Sequence, residues 1–221
     1  MGLDMYLMRA DRYKDVTPKQ VDAVEGYSSW KTDKSDEYTL EQWCGIKESE
    51  LPAQDVLDFY GGKKKTTYSG WDEKHQFPRT RIMEEVGYWR KANAVHQWFV
   101  DHVQGGVDDC EYHDEVTKEQ VEELRDLCVD IVENCPLVLG KVKAGLHYEN
   151  GNFVPIMQDG KVVCNPEYAH DRLPTTSGPF FGSEDYDEFY ISDLKETIRI
   201  CNEVLETTDF EKQMICYRSS W

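Results

Sequence analysis

The sequence predicts an α+β protein, with a small antiparallel sheet packed against three or more amphipathic helices. Three observations carry this. The N-terminal stretch alternates like a strand, with Leu3, Met5 and Leu7 on one side. Thr117-Lys118-Glu119-Gln120 opens a helical period with a capping box. Phe153 to Cys164 and Met214 to Tyr217 are short apolar runs of strand length.

The elements follow in order. Gly2 to Tyr13 is a strand. Thr17-Pro18-Lys19-Gln20 starts a helix, with Pro at the first helical position and Gln three residues after the cap. Ser28 to Asp36 is polar and loop-like. Tyr38 to Ile46 holds Leu40, Trp43 and Cys44 and predicts a short helix capped by Thr39. Gln54 to Tyr60 is a further short helix, and Thr66 to Pro78 a loop or irregular strand. Glu84 to Val103 fits one helix ending near Gly105-Gly106. Val121, Leu124, Leu127, Cys128, Ile131 and Val132 line one face of the next helix, which stops before Pro136. Phe153 to Cys164 predicts a hairpin turning at Gln158-Asp159-Gly160. Asn165 to Phe181 is a long loop. Leu194, Ile198, Cys201 and Leu205 align on a helix capped by Ser192 or Asp193, and Met214 to Tyr217 is a terminal strand, expected as a neighbour of the first in one antiparallel sheet. No repeat, low-complexity tract or linker interrupts the 221 residues, so residues 1–221 form a single α+β domain in the simplest reading.

Composition narrows function. The chain is 39% hydrophobic and 12% aromatic, in the range of folded proteins. It has no apolar run of membrane-spanning length, and its first residues carry no signal-like core, so a cytoplasmic protein without a membrane partner is expected. Seven cysteines, irregularly spaced and without a CxxC pair, argue against a disulfide framework or a structural zinc site. The net charge is −18, and residues 105–221 hold 25 Asp+Glu against 10 Lys+Arg. That half has little with which to release phosphate counterions, so direct nucleic-acid binding is disfavoured. The same acidity admits a nucleic-acid mimic that engages a basic partner through Glu119, Glu122, Glu123 and Asp126.

Catalytic signatures are missing. There is no HExxH, GxSxG, GxGxxG or Walker spacing, and no motif calls for a metal or cofactor. Gly61-Gly62-Lys63-Lys64-Lys65-Thr66-Thr67 reads as a solvated basic loop. The candidate site lies instead on the Glu84–Val103 segment. Stepped at 100° per residue, Tyr88, Trp89, Ala92, Val95, His96, Phe99 and Val103 gather on a core face, while Trp98 falls opposite, among Lys91, Ala94 and His102. His96 then reads as a hydrogen-bonded core histidine, with a general acid/base or ligand-contact role as the rival. Arg90, Lys91 and Trp98, joined by Thr175, Thr176 and Ser177 of a hydroxyl- and glycine-rich loop, would hold a planar anionic ligand such as a nucleotide by stacking and charge-assisted hydrogen bonds.

Several motifs also form a recognisable set: Met1-Gly2-Leu3-Asp4-Met5-Tyr6-Leu7; Glu85-Val86-Gly87-Tyr88-Trp89-Arg90-Lys91-Ala92-Asn93 with His96 and Trp98; Leu173-Pro174-Thr175-Thr176-Ser177-Gly178; Phe181-Gly182-Ser183; Asp185-Tyr186-Asp187; and Ser219-Ser220-Trp221. With them the chain resembles a family of small proteins encoded by bacteriophages and bacterial mobile elements. The resemblance implies a phage accessory protein acting in the host cytoplasm, and it transfers no catalytic residue. Together these readings favour a non-catalytic binder that antagonises a host process, plausibly a defence system, through a host protein or a nucleotide signal. The alternatives are a small enzyme acting on a nucleotide or phosphorylated substrate, with His96 as acid or base, and the acidic nucleic-acid mimic.

Overall fold

A computed structural model describes residues 2–11, 23, 26–27, 29–31, 33–51, 65–72, 77–113, 115–149 and 151–221. The helix expected from Thr17-Pro18, the one at Gln54 to Tyr60, and Gly61 to Lys64 lie outside them. The fold is α+β, with two small antiparallel sheets and helices. In chain order the strands are β1 (Asp4–Asp11), β2 (Lys65–Asp72), β3 (Phe77–Arg90), β4 (Leu137–Glu149), β5 (Asn152–Val163) and β6 (Gln213–Ser220). The helices are α1 (Leu40–Cys44), α2 (Asn93–His102), α3 (Lys118–Asn134), α4 (Pro166–Arg172) and α5 (Glu188–Thr207). One sheet has the order β2-β3-β1-β6 and the other is the hairpin β4-β5, so the first and last strands are neighbours, as expected.

By contacts the chain divides into two compact units: Met1–Leu7, Val86–Phe210 and Ile215–Trp221 in one, Met8–Glu85 and Glu211–Met214 in the other. In the second, Arg9 and Glu84 are both buried and joined at 2.7 Å. Two buried charges this close offset much of each other's desolvation cost. Here also Thr39 caps α1 as the sequence suggests, in a full capping box with Gln42.

The first unit holds the main core. Leu3, Met5 and Leu7 of β1, Val86 and Trp89 of β3, and Ile215 and Tyr217 of β6 meet the apolar stripes of α2, α3 and α5. On α3 the buried stripe is Val121, Leu124, Cys128 and Ile131, and on α5 it runs from Tyr190 through Leu194 and Ile200 to Val204. These are i, i+3, i+4 and i+7 positions, so the two helices pack lengthwise. Gly87 lets α5 approach the sheet: a Cβ there would stand 2.6 Å from Ile200 Cγ2. The Thr117 capping box forms, and the Gln120 amide also donates to the His102 carbonyl at 2.7 Å, tying the start of α3 to the end of α2.

Four local expectations are corrected. Glu84 to Val103 is not one helix: β3 runs to Arg90, Lys91 takes φ +64°, and α2 begins at Asn93. From Tyr88 to Arg90 the burial alternates out, in, out, which is the period of a strand, and pairing within the sheet outweighs a helical pattern that a short aromatic run also fits. The β4-β5 reversal comes between Glu149 and Asn152, which pair, while Asp159 and Gly160 lie inside β5 opposite Lys141 and Gly140. The long loop after Asn165 contains α4. Finally α5 is capped by Asp187 instead of Ser192 or Asp193, because Asp187 accepts from the Phe189 and Tyr190 amides and satisfies the open helix end.

Candidate functional site

The strand-to-helix junction Arg90-Lys91-Ala92-Asn93 forms one side of a cleft of about 410 Å³. Thr175, Gly182, Ser183 and Asp185 form the second side, and Asp187, Phe189, Tyr190 and Asp193 at the head of α5 the third. The junction is tight. Lys91 N–H donates to the Leu3 carbonyl at 2.7 Å, and the Lys91 carbonyl accepts from Asn93 N–H at 2.9 Å. Its left-handed backbone is uncommon for a side-chain-bearing residue. Gly182, at φ +101°, packs so closely that a Cβ would lie 3.1 Å from both the Cβ and the carbonyl oxygen of Lys91.

Asn93 fixes the facing loop. Its amide donates to the carbonyls of Phe181 (3.2 Å) and Ser183 (2.8 Å), and its oxygen accepts from Thr176 N–H at 3.0 Å. The residue is buried, so these three bonds replace solvent and hold the loop against the start of α2. Thr176 Oγ1 donates to Gln97 at 3.2 Å, and Thr175 Oγ1 to the Glu184 carbonyl at 2.9 Å. The Thr175 hydroxyl thus holds the loop's own shape, and the Thr176 hydroxyl ties the loop to α2.

Charge is mixed in the cleft. Its lining carries both signs, Arg90 and Lys91 together with Asp185, Asp187 and Asp193. Arg90 is 61% exposed and only loosely held, its Nε 4.0 Å from Asp4, whose Oδ1 already accepts from Tyr88 at 2.6 Å. Asp193 is half-buried, and its carboxyl is pushed up to about 7, first by burial and then by the negative charge of Asp187. Near neutral pH it is therefore split between acceptor and O–H donor. Phe189 is 70% exposed beside it.

The expected site residues separate. Arg90, Lys91 and Thr175 line the cleft. Thr176 supports its loop from behind, and Ser177 is exposed and off the lining. Trp98 is buried, stacked on His102 with ring centroids 4.5 Å apart and edge-on to Phe99. The expected aromatic, ligand-facing stripe is corrected: α2 is buried on almost all sides, so the side opposite its first stripe is also packed.

His96 is fully buried and does not line the cleft. Its Nδ1 lies 2.7 Å from the Tyr217 hydroxyl, and Phe181 meets the ring edge-on. Nε2 approaches Asp108 Oδ1 at 3.1 Å without an aligned hydrogen bond. Burial pushes the imidazole down, against the raising effect of Asp108. The Tyr217 phenol is pushed well up by burial. A neutral ring accepting the Tyr217 proton fits both directions. Cys128 and Cys201 are buried thiols pushed up by desolvation, poor nucleophiles as they stand. Among the described residues no group of three or more His, Cys, Asp or Glu is placed to hold a metal, and no helix is long and apolar enough to cross a membrane.

Sequence reasoning missed Asn93, Gly182, Asp187 and Asp193 as parts of one site. Asn93 and Gly182 sit inside the recognisable motifs, but nothing in their spacing says that residues 88 to 90 positions apart in sequence meet. Comparison with protein-family models, curated proteins and solved structures finds no match to this chain.

Proposed function

We propose that this chain is a non-catalytic binding protein that takes a small anionic ligand, a nucleotide in the first instance, in the Lys91–Asp193 cleft. The observation that carries the reading is that one cleft is lined by two cations, Arg90 and Lys91, and by a carboxyl pushed up to about 7. Phosphate oxygens suit Arg90 and Lys91. The amino and ring-nitrogen edge of a base suits Asp193, which accepts when ionised and donates when protonated. Phe189 offers a stacking face beside it. In the biological setting suggested by the sequence resemblance, such a protein would be a phage or mobile-element accessory that withdraws a nucleotide signal from a host process, plausibly a defence response.

Calorimetric titration of the full chain with linear and cyclic nucleotides tests this. A saturable heat is expected with at least one of them. Absence of heat across the panel, or conversion of the nucleotide during titration, contradicts it.

The main rival is a small enzyme acting on the same ligand class. It is favoured by Asp193, not by His96: a carboxyl poised near 7 in an open cleft suits general acid or base work. Turnover of a nucleotide panel, lost in Asp193→Asn and kept in His96→Gln, would establish it. The nucleic-acid-mimic reading draws on the exposed acids of α3, but Glu122 already pairs with Lys118 (3.6 Å) and Asp126 with Arg125 (2.7 Å). Those pairs reduce the field available to a basic partner.

A further inference from the structure

The loop that brings Gly182 and Ser183 to the cleft is tied at its backbone by Asn93. Just before them, Gly178-Pro179-Phe180-Phe181 turns back on itself. Phe181 N–H donates to the Gly178 carbonyl at 3.3 Å, and the Phe181 ring folds over Gly178. Phe180 takes φ +65° in this turn, a left-handed backbone that is strained for a residue with a side chain. The turn leaves Phe180 66% exposed and Phe181 buried. Burial of Phe181 is therefore what offsets the strain at Phe180, and the contacts of Phe181 decide whether the turn holds.

One of those contacts comes from outside the core. Trp221, just past β6, is 46% exposed and meets Phe181 with ring centroids 6.1 Å apart, tilted by 65°. The Trp221 indole N–H donates to Asp108 Oδ1 at 3.1 Å. The same carboxylate oxygen lies 3.1 Å from Nε2 of His96, whose ring stands edge-on to Phe181. Four side chains thus close a circuit: Phe181, Trp221, Asp108 and His96. Within it Asp108 serves one N–H and faces another. With Nδ1 accepting from Tyr217, the imidazole proton sits on Nε2, buried and without an aligned bond. A buried donor left unmet costs about as much as an exposed indole bond contributes. Turning Asp108 to His96 satisfies the imidazole and releases the indole, so the two settings of the carboxylate lie close in energy.

We propose that Trp221 is a clasp on the cleft's loop. While Asp108 holds the indole, Trp221 backs Phe181, and Phe181 fixes the turn that leads into Gly182 and Ser183. When Asp108 turns to His96, the indole lets go and residues 178–183 loosen. Trp221 does not line the cleft; it is a positioning residue that acts through Phe181. Its bearing on a ligand rests on the reading of the cleft as a binding site. A ligand that fits the clasped loop binds more weakly once the clasp is lost, and a bound ligand tightens the clasp in return.

Amide hydrogen exchange of the full chain tests the clasp without a ligand. Trp221→Ala is expected to speed exchange in residues 178–183 by about tenfold and to leave α3 and α5 as in wild type. Trp221→Phe keeps a ring against Phe181 and loses the indole N–H, so its exchange falls between the two. Asp108→Ala speeds exchange in the same residues, while Asp108→Asn, which keeps an acceptor for the indole, stays near wild type. Unchanged exchange in Trp221→Ala overturns the proposal. So does a rise shared by α3 and α5, which is a loss of global stability, or an Asp108→Asn variant as fast as Asp108→Ala. Calorimetric titration with ATP and GTP then joins the clasp to the cleft, with affinity about fivefold weaker in Trp221→Ala than in wild type. Equal affinity in the two proteins overturns that link. A wild type that binds neither nucleotide contradicts the reading of the cleft, and the exchange rates still decide the clasp.

Discussion

Two ionisable side chains in the same compact unit meet opposite fates. His96 and Asp193 are each shifted from their ordinary range chiefly by burial, the imidazole downward and the carboxyl upward. His96 is sealed between Tyr217 and Phe181, while Asp193 lines a cleft that also holds Arg90 and Lys91. Burial alone perturbs a group; access and a complementary wall turn the perturbation into a site. The His96 neighbourhood is therefore an element of stability and the Asp193 neighbourhood a candidate for binding.

Substitutions should separate the two. The largest effect is expected at His96→Ala, which opens a cavity and removes the partner of the buried Tyr217 hydroxyl. A loss of about 3–4 kcal/mol is expected in urea unfolding, and it should hold whether or not ligand binding is measurable.

Next comes Asn93→Ala. It removes three hydrogen bonds and strands the Phe181 and Ser183 carbonyls, for about 3 kcal/mol by the same measurement. Unlike His96→Ala it should also raise amide exchange in residues 175–183. Equal exchange in both variants would mean that the loop does not depend on Asn93.

Asp193→Asn should act in the opposite direction. The folded-state carboxyl sits near 7 and the unfolded one near 3.8, so the folded state holds the proton more tightly. That contribution is full only below about 3.8 and is lost as pH rises from there through 7. The amide should therefore stabilise the protein by about 2 kcal/mol more at pH 8 than at pH 5, with little effect only below about 3.8. His96 runs the other way. Its lowered folded-state value means that the unfolded chain takes up the proton first, so its contribution is intact above 6.5 and declines as pH falls below it. Thermal unfolding at pH 5 and 8 reads both signs.

The smallest effect is expected at Gly182→Ala, about 1 kcal/mol, since the new Cβ would press on Lys91 at 3.1 Å and φ +101° disfavours a side chain.

Much of the fold was legible because its signals are local. Thr117 to Ile131 shows a cap and a clean apolar stripe, and both form. The α+β class followed from such elements together with the alternation at Leu3, Met5 and Leu7. Errors arose where two local patterns competed. Tyr88-Trp89-Arg90 fits a helix face and a strand alternation alike, and its place in the sheet decides. Asp159-Gly160 carries turn chemistry, yet the pairing of Glu149 with Asn152 puts the reversal between those two residues instead. Arg90, Lys91 and Thr175 of the cleft were named from charge and hydroxyl content. Asp193 could not be, because its perturbation comes from burial and from the charge of Asp187, the cap of the same helix, and an acidic residue in an acidic helix shows no sign of that in the sequence. Trp98 was misassigned because a helix buried on nearly all sides has no free stripe.

The most direct test is calorimetric titration of nucleotides into four proteins: wild type, Arg90→Gln, Lys91→Gly and His96→Gln. Glycine at position 91 keeps the left-handed backbone while removing the charge. The expected result is saturable binding by wild type and His96→Gln, weakened at least about tenfold in the two cation variants. Binding that survives loss of both cations, or that vanishes only with His96, would contradict the assignment of the cleft.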